Sequence, residues 1–218
     1  MELNEKEIQS LLNNNPHVQY YLDNLAEDQE PPKFYASLSD SLKDQRAVNL
    51  LYPTRGFIYV HVYPDEETGS LFYQAIEPKL TEIEEAKRDI LLRLILERIV
   101  EKKSAVTDKE LRKNIDELLE ELIVVDEKAD DKVKKPKGKN PEKSIKNIKA
   151  STMQKTKLQY FIVKHLLGGA NIECFMRDPY IEDIHLISGE PIHLIHKIFG
   201  MIKTSVSITQ EEAVKFFK

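Results

Sequence analysis

Three of the six histidines, His185, His193 and His196, fall close together near the end of the chain. Imidazoles ligate metals or carry protons, and Glu182 and Asp183 are near enough in sequence to complete a ligand set. His185 and His193 sit in neighbouring predicted strands, where they can be cross-strand neighbours. His193 and His196 are three apart, a spacing that puts them on opposite faces of a strand. These histidines therefore read as polar strand residues, with His196 packed or hydrogen-bonded, and no metal ligand is assigned. Cys174 with His165 has the types of a nucleophile and its base, but no third group orients them. A lone cysteine in this setting reads as a small buried hydrophobe.

Phosphate chemistry has no better support. The glycine-rich loop G-x-x-x-x-G-K-[ST] is absent, since Gly138-Lys139 lacks the earlier glycine and is followed by Asn140. No G-x-S-x-G, H-E-x-x-H or C-x-x-C occurs. No residue is assigned a catalytic or cofactor-binding role. The densest polar constellation is Arg177-Asp-Pro-Tyr-Ile-Glu-Asp-Ile184. Proline at 179 keeps Asp178 out of the helical region, so the segment reads as a defined turn entering a strand. Arginine beside carboxylates makes directional ion pairs. Two readings stay open for Arg177, Asp178, Glu182 and Asp183: a contact to another domain or subunit, or a surface turn making its own local pairs.

The elements that must position these groups follow from composition and period. The chain has 218 residues, 32% of them charged and 41% hydrophobic, with a net charge of −5. That is a globular balance, and the apolar stretches are too short for a membrane-spanning helix. Residues 1–15 lack the basic start and apolar core of a secretory signal. A single cysteine excludes an internal disulfide and fits a reducing cytoplasm. Residues 132–149 carry eight lysines against one glutamate, so the remainder is strongly acidic. With two prolines, a glycine and little to bury, 132–150 reads as a solvated linker. The competing reading is a module that binds nucleic acid or anionic membrane through this lysine-rich tract.

The linker divides an expected 1–131 subdomain from a 151–218 subdomain. In the first, apolar stripes predict a helix over 3–13 and another from Pro16 through Leu25. Alternating aromatic and β-branched residues predict a hairpin over 57–63 and 71–76. Thr81-x-x-Glu84 and Thr107-x-x-Glu110 read as capping boxes opening two further helices. In the second, Ser151-x-x-Gln154 opens a helix that Gly168-Gly169 ends. Strands over 181–187, 192–197 and 201–206 form an antiparallel meander, and Thr209-x-x-Glu212 begins a short helix through Phe217. The expected class is α+β: amino-terminal helices and a β-hairpin with a helical pair, then a small antiparallel sheet with flanking helices. A helix stopping uncapped at Lys218 suggests a piece of a longer product.

One series of segments goes further. Pro32-Lys-Phe-Tyr-Ala-Ser-Leu-Ser39, Asn49-Leu-Leu-Tyr-Pro53, Phe57-Ile-Tyr-Val-His61 and Tyr73-Gln-Ala-Ile-Glu-Pro78 occur in this order. Met176-Arg-Asp-Pro-Tyr-Ile-Glu-Asp-Ile184 and Pro191-Ile-His-Leu-Ile-His196 follow. Together they resemble the amino-terminal region of archaeal secretion ATPases, the motors of archaeal type IV pili and the archaellum, related to type II secretion ATPases. The resemblance implies a domain that precedes a RecA-like motor domain, with ATP and Mg bound at their junction. It also implies hexameric rings at the cytoplasmic, inner face of the cell membrane. Implied partners are the RecA-like domain, neighbouring subunits and a membrane platform protein, with anionic lipid as a further candidate for the lysine tract. The chain ends before the family's P-loop, acidic boxes and arginines, so no residue inherits a catalytic role. On this resemblance the turn lies nearest the missing motor domain, and the expectation is that Arg177, Asp178, Glu182 and Asp183 set that interface.

Overall fold

The computed structural model describes residues 1–26, 29–43, 48–54, 57–65, 69–101, 107–128, 147–167 and 172–211. Most of the lysine-rich linker, the Gly168-Gly169 stop and the final helix beyond residue 211 lie outside the described residues. The protein is α+β, and the chain divides into two compact units, residues 1–79 with 171–218, and residues 80–170. This division differs from one drawn at the lysine tract. The physical reason is strand pairing: the amino-terminal hairpin and the carboxy-terminal meander belong to one sheet.

The first unit is built on seven strands, β1 (Lys33–Phe34), β2 (Leu50–Pro53), β3 (Tyr59–Pro64), β4 (Leu71–Ile76), β7 (Ile181–His185), β8 (Pro191–His196) and β9 (Gly200–Ser207). Their order in the sheet is β1-β2-β3-β4-β9-β8-β7. The β1–β2 and β4–β9 pairs are parallel and the rest antiparallel. Parallel pairing of Phe72 with Lys203 and Tyr73 with Thr204 is what joins the two β regions. Strand β3 is buried on both faces through Tyr59, Val60, His61 and Val62, as its uncharged alternation predicts. Strands β1 and β2 are too short to show a period and escape the sequence reading.

Helices α1 (Glu5–Asn14) and α2 (Pro16–Asp23) cover one face of this sheet. Asn4 accepts from the Lys6 and Glu7 amides while the Glu7 carboxylate accepts from the Asn4 amide, a reciprocal cap that starts α1. Pro16 in the first turn of α2 lacks the N–H that would go unpaired there. Val18, Phe34, Leu51, Tyr59 and Ile76 are buried together, with Leu3, Ile8, Leu11, Leu12, Tyr21 and Leu22 packed against them. Residues 1–3 also run along β1, with the Leu3 amide donating to the Phe34 carbonyl at 2.8 Å and the Ala36 amide to the Met1 carbonyl at 2.9 Å. That closes one sheet edge against unwanted pairing.

The second unit holds α3 (Glu82–Glu101), α4 (Asp108–Leu122), β5 (Ile123–Val125), β6 (Ile148–Ala150) and α5 (Thr152–Leu166). Leu91, Ile95, Ile115, Leu119, Leu122, Leu158 and Ile162 form its core. The three capping boxes expected in this unit form: Thr81 with Glu84, Thr107 with Glu110, and Ser151 with Gln154, while Glu212 of the fourth, Thr209-x-x-Glu212, lies outside the described residues. Strand β6 falls within the residues expected to be linker. Ile148 and Ala150 turn inward around an exposed Lys149, and a three-residue alternation beside a lysine tract gives no readable period. Among the described residues no helix is long and apolar enough to cross a membrane.

Candidate site at the Arg177 to Asp183 turn

A short helix, α6 (Glu173–Arg177), to which no element is assigned from sequence, carries the chain into the polar turn. Arg177 Nε donates to Glu173 Oε1 at 2.8 Å, one helical turn back, and Glu173 is almost wholly buried. Burial of Cys174 and Phe175 pins the same helix to the unit, with Phe175 edge-on to Tyr73 at 5.5 Å. The turn after α6 therefore leaves from a fixed base.

Asp178 is buried, and its two carboxylate oxygens are fully engaged. Oδ2 accepts from the Tyr52 hydroxyl at 2.6 Å and the Tyr73 hydroxyl at 2.9 Å. Oδ1 accepts from the Tyr180 amide at 2.8 Å, closing the turn on itself. His196 Nδ1 accepts from the Ile198 and Phe199 amides at 3.1 and 3.3 Å. The ring proton is thereby assigned to Nε2, which donates to the Tyr52 oxygen at 3.3 Å. Tyr180 stacks on His196 at 22° and meets Tyr52 edge-on, while the Leu38 amide donates to its hydroxyl at 2.9 Å.

The electrostatics follow from burial. Loss of solvent raises the Asp178 carboxyl above its ordinary range, and the Tyr52, Tyr180 and Tyr73 hydrogen bonds pull it back. Burial, reinforced by the Asp178 charge, holds the Tyr52 and Tyr73 hydroxyls protonated far above pH 10. Burial also lowers His196 to about 4. At neutral pH the cluster holds uncharged tyrosines and an uncharged imidazole around one acid, with every donor matched to an acceptor. Such an arrangement clamps a turn and leaves no group poised to attack a substrate.

The four residues assigned to an interface are thus separated by the fold. Asp178 acts from inside the unit, and Arg177 is tied to Glu173. Glu182 and Asp183 are exposed on β7, with a bulge between Ile181 and Asp183. His185 and His193 are register partners, as expected for cross-strand neighbours, and His196 lies on the buried face of β8. Cys174 is buried, and His165 belongs to the other unit. Sequence reasoning does not find Tyr52 and Tyr73, because they reach Asp178 across 126 and 105 positions of chain. The available signal is the Asp-Pro turn itself, which needs something to hold it.

No family model matches the chain. It is similar to the uncharacterized protein MJ0900 of Methanocaldococcus jannaschii, 31% identical over 216 residues, covering 96% of this chain and 38% of that protein. It is also similar to the uncharacterized protein MJ1288 of the same organism, 26% identical over 205 residues, covering 89% of this chain and 70% of that protein. The chain thus spans well under half the length of the first of these relatives.

Proposed function

We propose that the chain is the amino-terminal coupling domain of a hexameric archaeal secretion ATPase, one that drives pilus or archaellum assembly or protein secretion. The observation that carries this reading is the ordered series of motifs from Pro32 to His196. Support comes from where their residues lie. Tyr52, Tyr73, Asp178, Tyr180 and His196, drawn from four of those motifs, meet in one hydrogen-bonded cluster. Motif residues that hold one another are what a shared domain leaves in sequence. The length of the archaeal relative beyond the matched part leaves room for a further domain.

On this reading the chain works mechanically. ATP and Mg belong to the RecA-like domain beyond this sequence, and the residues here transmit movement between that domain, neighbouring subunits and a membrane platform protein. The protein works in the cytoplasm at the inner face of the membrane, with anionic lipid a further candidate partner for the lysine tract. Asp178 fixes the turn from within, and Glu182 and Asp183 present charge outward from β7. The test is Glu182→Lys in the complete gene product, measured by native mass and ATP turnover. Reversing a charge at a domain contact should cut ring formation or turnover at least about tenfold, the effect of losing about 1.4 kcal/mol. Unchanged rings and unchanged turnover would overturn the assignment of this contact.

A further inference from the structure

We propose that Asp183, His185 and His193 form a surface site for a divalent transition-metal ion, of which zinc is the probe. The inference stands on the fold alone and does not depend on the motor reading. His185 on β7 and His193 on β8 are directly opposed in the antiparallel ladder. Opposed residues have Cβ atoms about 4.5–5.5 Å apart and point to the same face. Asp183 shares that face two residues before His185, about 7 Å along the strand. Burial agrees with the geometry: Ile192, Leu194 and His196 point inward along β8, whereas His193 alternates with them.

The donor atoms are close to a metal's requirement. His185 Nε2 and Asp183 Oδ2 are 3.3 Å apart, with side chains 48% and 67% exposed. Two ligands held 2.0–2.1 Å from a tetrahedral zinc ion are separated by about 3.4 Å, so this pair already spans one tetrahedral edge. His193 is half-buried on that face, and among the described residues no hydrogen bond, ion pair or ring contact holds its imidazole away from the pair. No three such donors among the described residues already converge. Rotation of the His193 side chain completes the set. Two imidazoles with one carboxylate suit zinc, copper, nickel or ferrous iron better than magnesium or calcium. Three protein donors leave at least one position for water or a partner's ligand. Lys203, opposite His193 on β9, is the cation that would weaken the site, and it flanks only one side.

The experiment is zinc titration of the whole chain at mildly alkaline pH, read by calorimetry and by imidazole NMR signals, with cobalt as the optical reporter of coordination. One equivalent should bind, with the His185 and His193 rings perturbed. Losing an outer-shell partner typically weakens metal binding 10–100-fold, so His193→Ala and His185→Ala should each cost at least about tenfold. Asp183→Asn should weaken binding while leaving both ring perturbations in place. His165→Ala, an exposed histidine of the other unit, should change nothing. Circular dichroism of each variant separates loss of binding from loss of fold. Absence of stoichiometric uptake, or uptake indifferent to His193→Ala in a folded variant, would overturn the proposal.

Discussion

At the scale of single residues, Asp178 organises more of the molecule than its place in a polar turn suggests. Hydrogen bonds to a charged group are worth about 1.5–3 kcal/mol. Tyr52→Phe removes one such bond and strands the His196 N–H, so it should lower stability by about that amount, seen as a shifted urea midpoint with an unchanged slope. A loss below about 0.5 kcal/mol would show that the clasp contributes nothing measurable. Two histidines add a pH signature. His61 accepts from the Tyr21 hydroxyl at 2.8 Å and bonds Asn49 Oδ1 at 2.7 Å, and burial lowers it, like His196, to about 4. Because these folded-state values lie below the unfolded imidazole's 6.5, the unfolded chain gains protons first on acidification. Stability should be flat above about pH 6.5 and fall between 6.5 and 4, by about 3 kcal/mol per histidine on linkage. Asp178, raised by burial, works in the opposite direction and favours the fold on acidification. Denaturation midpoints from pH 8 to 4 check the sign, and a midpoint rising across that window would contradict it.

At the scale of elements, the second unit turns on how α3 meets α5. Glu84 lies almost wholly buried, with Lys157 Nζ 2.6 Å from one oxygen and the Thr81 amide 2.9 Å from the other. It is at once a helix cap and half of a buried ion pair. Glu84→Ala leaves a mostly buried ammonium without its carboxylate and should cost about 3–5 kcal/mol. Thr107→Ala, in the exposed capping box of α4, should cost only about 1 kcal/mol. Equal losses in thermal unfolding would reduce Glu84 to a cap. The contrast also explains what can be read from sequence. The capping boxes of α3, α4 and α5, the alternation of β3 and the β7–β9 meander are local and legible, whereas the Asn4–Glu7 box of α1 was not read. Strands β1 and β2 carry too few residues to display a period, and α6 hides beside a proline. The β4–β9 pairing that makes one sheet of two regions depends on distant partners, Tyr73 and Thr204, whose types say nothing of each other. In the candidate site, the polar turn was legible and its tyrosine partners were not, for the same reason of distance. The His185 and His193 pairing was legible because a hairpin-length connection fixes their register.

At the scale of the whole molecule, the modest net charge of −5 conceals an acidic remainder and a lysine-rich tract. If that tract binds nucleic acid, affinity should fall steeply with salt, with a slope near −0.9 per neutralised duplex phosphate. Deleting residues 132–146 spares β6, and a mobility shift at low salt that disappears with the deletion would favour that alternative. Vesicle flotation that requires acidic lipid would instead place the tract at a membrane, as the motor reading expects. The central claim is tested most directly by reading the gene past the codon for Lys218. An amino-terminal coupling domain must be followed by its motor, so a phosphate-binding G-x-x-x-x-G-K-[ST] loop should appear within about the next 100–150 residues, one domain length. A reading frame that stops, or that continues through a domain without that loop, would contradict it.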